Sequence, residues 1–388
     1  MRKTRILTAL AAVLLLLQTA GAFADQSVLL TFTGDCTIGS EERTRAREDS
    51  LDAFARKKGY DYFFANFREL FETDDQTIIN FEGVLSDSAA QESRSKTYRF
   101  RAPTEFVKVL TGSSIEACTL ANNHTGDFGK QGEDSTKNTL TENGIGWCKS
   151  WDPLVIEKNG IKIYVFSIEN RFYNEFAQKF RDRITELKQS GEANAVVVCW
   201  HTGLEYRGAH EPNTEVNVQR IINAGADLVV NNHPHVLQGI GVINNRFAFY
   251  SLGNFVFGGN SKIETRKFLT DKTVSSLYTA VMQVKMFFTD DGKFSGSQVT
   301  LFPALTSSAN PVNNYQPYRA NAEEAAIIRD ALQIDTPFPL PEILTDEKGY
   351  TRMELDYLPA FSVEGAAGGF QGKPESAEPA PSRATRQD

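Results

Sequence analysis

Histidine and cysteine are both scarce in this chain, with 5 His and 4 Cys among 388 residues, and there are only 4 Met and 3 Trp. Four widely spaced cysteines (Cys36, Cys118, Cys148, Cys199) exclude a disulfide scaffold, although one or two bridges could form in an oxidising compartment. They read mainly as small apolar fillers at strand ends, with metal ligation by Cys36 or Cys199 the lesser alternative. Long apolar runs are missing beyond the first two dozen residues, which excludes a multi-spanning membrane protein. Positive charge is also short, 41 Lys and Arg against 49 Asp and Glu, a net charge of -8. An acidic protein is a poor general binder of polyanions, so nucleic acid is not an expected partner. An anionic ligand must be held by a local basic cluster or by metal. Apolar residues are plentiful, at 41% with 27 Phe, enough for a large core.

The N-terminus is a targeting segment. Arg2, Lys3 and Arg5 precede an apolar run over residues 6–17, and Ala22-Phe23-Ala24 has the small-x-small pattern of a signal peptidase site. The apolar run is shorter than the roughly 20 residues of a spanning helix. Cleavage is expected near Ala24, giving residues 1–24 as signal peptide and an extracytoplasmic (periplasmic or secreted) mature chain. Taking these three positive charges from -8 leaves -11. No cysteine stands at the cleavage site to carry a lipid. Residues 363–388, rich in Gly, Ala, Pro, Ser, Glu and Gln without periodicity, read as a disordered tail. The remainder, 25–362, is expected to form one domain.

Strand-like apolar bursts at residues 27–33, 77–80, 115–120, 145–149, 195–200, 228–230 and 247–252 alternate with helical patterns at 51–71, 103–110, 132–143, 174–189 and 214–224. Residues 96–101 alternate as an exposed strand would. Asn159-Gly160 signals a hairpin between 154–156 and 161–168, and Asp290-Asp291-Gly292 another between 276–288 and 294–302. Residues 321–332 form a last helix, followed at a distance by the tail. Alternating strands and helices, with polar residues at the strand ends, predict an α/β layered fold.

The strand ends carry the chemistry. Four of the five histidines (His124, His201, His233, His235) follow strand-like runs, and open α/β sheets build sites at the carboxyl ends of their strands. His233-Pro234-His235 places two imidazoles one residue apart on a stiffened backbone. With Asp35, Asn80, Glu82 and Asn123 they make a set that suits two divalent ions. Glu82 would bridge; Asp35 and His235 complete one ion, and Asn123, His201 and His233 the other. Mixed nitrogen and oxygen donors favour Mn, Zn or Fe over calcium or magnesium. Two such ions clamp an anionic oxygen and supply hydroxide near neutral pH. His124 is then free to give a proton to the leaving group, with Asp127 close enough in sequence to orient it; the alternative is that it caps a helix. Asn80, Arg99, Arg101, Glu205 and Asn254 are candidates for holding substrate. For Arg99 and Arg101, with Lys96 nearby, paired hydrogen bonds to a carboxylate or phosphate stand against a solvated strand face. Glu205 and Tyr206 either position substrate or satisfy a loop, and Asn254 is otherwise a turn asparagine. His210 sits in a polar loop and is assigned no role.

Gly34-Asp35, Asn80-Phe81-Glu82, Ala121-Asn122-Asn123-His124 with Asp127 and Gly129, His201-x-Gly203-x-Glu205-Tyr206, His233-Pro234-His235 and Tyr250-Ser251-Leu252-Gly253-Asn254-Phe255 together resemble the successive motifs of the CapA family. These are poly-gamma-glutamate capsule biosynthesis proteins, whose domain is similar to the calcineurin-like metallophosphoesterases. The resemblance covers residues 28–257. It implies a metallophosphoesterase-like two-sheet β-sandwich flanked by helices, in four layers, with the site on loops at the sheet edges. It also exposes departures: Asp35-Cys36-Thr37 stands where those enzymes have Asp-x-His, and Glu82 where they have Gly-Asp. The first metal position is therefore short of one ligand. The function expected is a metal-dependent hydrolase acting on an anionic cell-envelope polymer, its precursor or another small anionic substrate. The alternative is a non-catalytic polymer-binding accessory that works with membrane capsule-synthesis machinery.

Overall fold

The computed structural model describes residues 26–263, 274–309 and 311–360. The expected signal peptide and tail lie outside these residues.

Two sheets carry the molecule. The larger has ten strands, and its parallel part runs through Gln26–Thr37, Gln76–Phe81, Ala117–Thr119 and Gly146–Cys148. The hairpin of Tyr278–Phe288 and Phe294–Leu305 extends it antiparallel on the other side of Gln26–Thr37. The smaller sheet has six strands, with Ile161–Glu169, Ala195–His201, Leu228–Asn232 and Arg246–Leu252 parallel at its centre. The hairpin expected at Asn159-Gly160 forms its edge, joining Leu154–Lys158 to Ile161–Glu169. A third, three-stranded sheet joins Ser40–Glu41, Phe100–Ala102 and Val84–Leu85.

The burial pattern follows from strand periodicity. In Ala195–His201 every residue is buried. Ala195, Val197 and Cys199 enter an apolar cluster shared with Leu30 and Phe32 of the larger sheet. Val196, Val198 and Trp200 face Phe180 and Ile184 of helix Asn170–Ser190 and Val218 and Ile221 of helix Pro212–Asn223. A strand covered on both faces needs a continuous apolar run, as its sequence has. On the other side of the larger sheet Ile79 and Phe81 pack against Leu51, Ala55, Phe63, Phe64 and Phe67. The two sheets thus share one core, and helices pack on the outer face of each. This is a mixed α/β fold.

Three local expectations are corrected. The helix expected over residues 51–71 ends at Lys58, because Gly59 takes φ 86; a short 3-10 turn and helix Arg68–Phe71 follow. Its aromatic residues are spaced for burial against the sheet and not along one helix. The exposed strand expected at 96–101 is reduced to Phe100–Ala102, and Arg101 within it is buried. The cysteines are all free and buried, so no bridge forms.

One contact fixes how the loops approach each other. Asp35 N donates to Gly253 O at 2.8 Å, and a Cβ added at Gly34 would lie 2.2 Å from that same oxygen. Two backbones meet there with no room for a side chain. We expect Gly34→Ala to destabilise the protein by about 3 kcal/mol, read as a lowered urea midpoint. An unchanged midpoint would show that this approach is not required.

Candidate functional site

The parallel strands of both sheets end at one edge, and there the chain turns into the loops that bear the polar residues. Asp35 lies two residues before the end of Gln26–Thr37, Asn80 and Glu82 at the end of Gln76–Phe81, and Asn122 to His124 just past Ala117–Thr119. His201 ends its strand, and His233 and His235 follow Leu228–Asn232. Residues far apart in sequence meet as a result: Asp35 Oδ2 accepts from the backbone N of His233 at 3.3 Å across 198 residues. His233 and His235 both take positive φ, 110 and 59. Such backbone is uncommon for any residue but glycine, all the more for one that precedes a proline, and is kept where the surroundings enforce it.

Glu82 is the centre of the arrangement. Its side chain is wholly buried, and neither carboxylate oxygen accepts a hydrogen bond from any described residue. Around Oε1 stand His201 Nε2 at 3.7 Å and the Nε2 atoms of His124 and His235 at 3.9 Å each. One ligand atom each from Glu82, His233 and His235 lies within 4.8 Å of the others. His233 Nδ1 is likewise buried and unpartnered among the described residues. A buried carboxylate without a donor is costly, and a cation shared with the imidazoles removes that cost. The residues present therefore fit a divalent metal ion.

Side-chain amides hold the carboxylates and imidazoles of this cluster. Asn80 Nδ2 donates to Asp35 Oδ1 at 2.7 Å and lies 3.3 Å from His201 Nδ1, while its Oδ1 accepts from Thr119 at 3.2 Å and from Asn122 at 3.4 Å. His201 Nε2 is 2.9 Å from Asn123 Oδ1. His235 Nδ1 donates to Asn254 Oδ1 at 2.9 Å, which turns Nε2 toward Glu82. Partners of this kind set the orientation of a metal-binding imidazole.

The charges follow the packing. Burial, then the neighbouring Asp35, raises the Glu82 carboxyl well above its ordinary value. Burial lowers His201 well below the usual imidazole range and His233 to about 4, the latter also by the charge of His235. For His235 burial works against the charge, but Glu82 and Asp35 prevail and raise it to about 9. A raised imidazole pKa contributes stability that is complete below pH 6.5 and lost as the pH rises through 9. His201 and His233, being lowered, are neutral in both folded and unfolded states above pH 6.5 and do not oppose it. The raised Glu82 carboxyl acts in the same direction, so metal-free protein should lose stability as the pH rises from 6.5 to 9. Urea titrations in chelator at the two pH values check this, and stability that rises with pH would contradict it.

His124 forms a second unit beside the first. Its Nδ1 is 2.7 Å from Asp127 Oδ2, and the Phe100 ring packs on it at 4.5 Å between centroids.

Of the residues considered for holding substrate, only Glu205 is exposed, on the loop that carries Tyr206, whose ring lies 5.7 Å from that of His235. Asn80 and Asn254 are buried and contact the imidazoles of His201 and His235. Arg99 pairs with Glu92 at 2.7 Å; Arg101 pairs with Glu42 at 2.9 Å and donates to Ser86 O. Both arginines are thus engaged by carboxylates of the chain itself. Cys36 is buried with Sγ toward Thr33 and Gly34 O, burial raises its thiol to about 12, and it stands outside the cluster of Glu82, His233 and His235. Sequence reasoning gave no role to His210. In the structure its Nδ1 and backbone N both reach Asp335 Oδ2, at 2.8 and 3.0 Å, and its ring stacks on Tyr250, which ties the Glu205 loop to the C-terminal part of the chain. No local pattern signals a pairing across 125 residues.

A family model described as bacterial capsule synthesis protein PGA_cap matches residues 29–259, more than half of the chain. The chain belongs to this family. All the motif residues from Asp35 to Asn254 fall within the PGA_cap match, whereas Asp335 lies beyond it. Among curated relatives, the PGA_cap chain is 29% identical over 256 residues to the PGA biosynthesis protein CapA of Bacillus subtilis (strain 168), an alignment covering 61% of this chain and 64% of that one. It is 27% identical over 257 residues to the capsule biosynthesis protein CapA of Bacillus anthracis, covering 60% of each. The match thus spans less than two thirds of the length of either relative. A solved structure, that of a hypothetical protein from Thermus thermophilus, aligns with 71% of this PGA_cap chain and 99% of its own at a TM-score of 0.42 and 13% identity.

Proposed function

We propose that this protein is a divalent-metal-dependent hydrolase of capsule or poly-gamma-glutamate biosynthesis, acting on an anionic cell-envelope polymer or its precursor outside the cytoplasm. The observation that carries the reading is the buried carboxylate of Glu82, without a donor and surrounded by imidazole nitrogens. Glu82, His233 and His235 would hold an ion, with Asp35, Asn123 and His201 beside them for a second. Mn, Zn or Fe suits this donor set. A bound divalent ion supplies Lewis acidity toward an anionic oxygen and a lowered pKa for water.

The chain's own groups divide the remaining work. Asp127 accepts from Nδ1 of His124, so that Nε2 is the atom presented toward Glu82. In the proposed reaction Nε2 takes up a proton from water while Nδ1–H stays on Asp127, and the doubly protonated ring gives that proton to the leaving group. Asn80 and Asn254 keep the imidazoles of His201 and His235 in place, and Glu205 stands at the rim to select or orient substrate. The metallophosphoesterase-like four-layer arrangement belongs to this reading, supported by the shared core of the two sheets and the helices outside each. So does export by way of the segment ending near Ala24.

The test is elemental analysis of the purified protein, followed by turnover of phosphodiesters and gamma-glutamyl amides by the metal-loaded form. Stoichiometric metal with turnover of one class supports the reading. The second reading, a non-catalytic accessory of capsule assembly, draws on the names of the two Bacillus relatives, which describe biosynthesis. It predicts binding of poly-gamma-glutamate without turnover, and association with membrane capsule-synthesis machinery.

A further inference from the structure

Residues 86–99 connect Val84–Leu85 to Phe100–Ala102 without regular secondary structure, and Lys96 projects from them onto the turn that carries Asn123 and His124. Its ammonium group donates to two acceptors that bracket His124. One is the backbone carbonyl of Asn123, immediately before it. The other is Asp127 Oδ1 at 2.6 Å. The Lys96 side chain is 35% exposed, whereas that of Asp127 is wholly buried. Asp127 spends its other oxygen on His124 Nδ1 at 2.7 Å and on the backbone N of Phe100 at 2.8 Å. Its main-chain carbonyl accepts from Ser93 N at 2.8 Å, a second tie between the same two segments.

We propose that Lys96 is a positioning residue that locks the turn 123–127 so that His124 keeps its proton on Nδ1 and aims Nε2 at Glu82. The argument rests on the hydrolase reading given above. A buried carboxylate holding three donors has one stable orientation, and His124 takes its orientation from that carboxylate. Without the ammonium group, Asp127 loses its counter-charge and the Asn123 carbonyl loses a donor, so both ends of the turn are released together. The side chain of Asn123 and the ring of His124 would then shift relative to Glu82. A misplacement of this kind acts on the reacting geometry and not on ground-state binding. Lysine suits the task because its compact ammonium carries three donors, two of them used here.

The test compares Lys96→Met with Lys96→Arg. In the wild type, 15N-labelled histidine spectra of the metal-free and zinc-loaded protein should show His124, assigned by its loss in His124→Gln, as the Nδ1–H tautomer. Lys96→Met should turn this into a mixture of tautomers and lower kcat about 10- to 100-fold on whichever probe the wild type turns over, glycerophosphocholine or gamma-glutamyl p-nitroanilide, both with leaving groups that need a proton, with KM within about twofold. Lys96→Arg, which can still bridge both acceptors, should restore the spectrum and most of kcat. An unchanged His124 tautomer in Lys96→Met, or a rise in KM at constant kcat, would overturn the proposal. If Lys96→Met does not fold, Lys96→Gln is read in the same way. Wild-type protein that turns over neither probe would count against the hydrolase reading, and the imidazole spectrum alone would then decide the role of Lys96.

Discussion

Replacing Glu82 by glutamine should remove the divalent ion and lower turnover by about a thousandfold or more, while the fold survives. Glutamine keeps the shape of the side chain and takes away the charge that would draw the ion to this position. Glu82 also has no hydrogen-bonded partner to lose among the described residues. Metal-free Glu82→Gln should lose less stability between pH 6.5 and 9 than the metal-free wild type. The Glu82 charge, itself opposed by burial and Asp35, holds the proton on His235, and both titrations are weakened or removed with it. Metal content by elemental analysis, turnover, and urea unfolding in chelator report the three effects separately. Full metal content in the variant would show that the ion sits elsewhere. A pH dependence as steep in the variant as in the wild type would show that Glu82 does not set the charge of His235.

The second large effect is expected at His124. His124→Ala should lower kcat about 10²- to 10⁴-fold for a substrate whose leaving group is a poor acid. It should cost only a few-fold for a p-nitrophenolate leaving group, which departs without a proton. The contrast follows from the position of Nε2, 3.9 Å from Glu82 and held there through Nδ1 by Asp127. Metal content should not change, because no metal ligand is removed. An equal loss for both leaving groups would place His124 in transition-state orientation or binding and remove the proton transfer from it.

These two residues also show what was legible in the primary structure. Short continuous apolar bursts bounded by polar residues put Asp35, Glu82, His124, His201 and His233 at strand ends, and ends of parallel strands in stacked sheets converge on one edge. The order of the motifs alone marked the family. Tertiary packing decided what each polar residue does there. Asn80 and Asn254, considered for substrate, turn inward because His201 and His235 each need a partner on the second ring nitrogen. Arg101 looked free on an alternating strand and is instead drawn to Glu42, since a guanidinium with little exposure must pair. The aromatic spacing of residues 51–71 resembled one helix because burial against a sheet and burial along a helix both recur every few residues.

The sequence by itself determined the family, the α/β class, the strand ends and the identity of the residues gathered there, because these depend on local periodicity and on motif order. Only the tertiary structure decided which groups are left without partners and which are satisfied. Asp35 and His233 are 198 residues apart, and His210 and Asp335 are 125 apart, so their contacts exist only once the sheets and the C-terminal segment have packed. The same holds for the electrostatics. The carboxyl of Glu82 and the imidazole of His233 owe their shifted affinities for a proton to burial and to neighbours from other strands, conditions that no stretch of chain carries on its own.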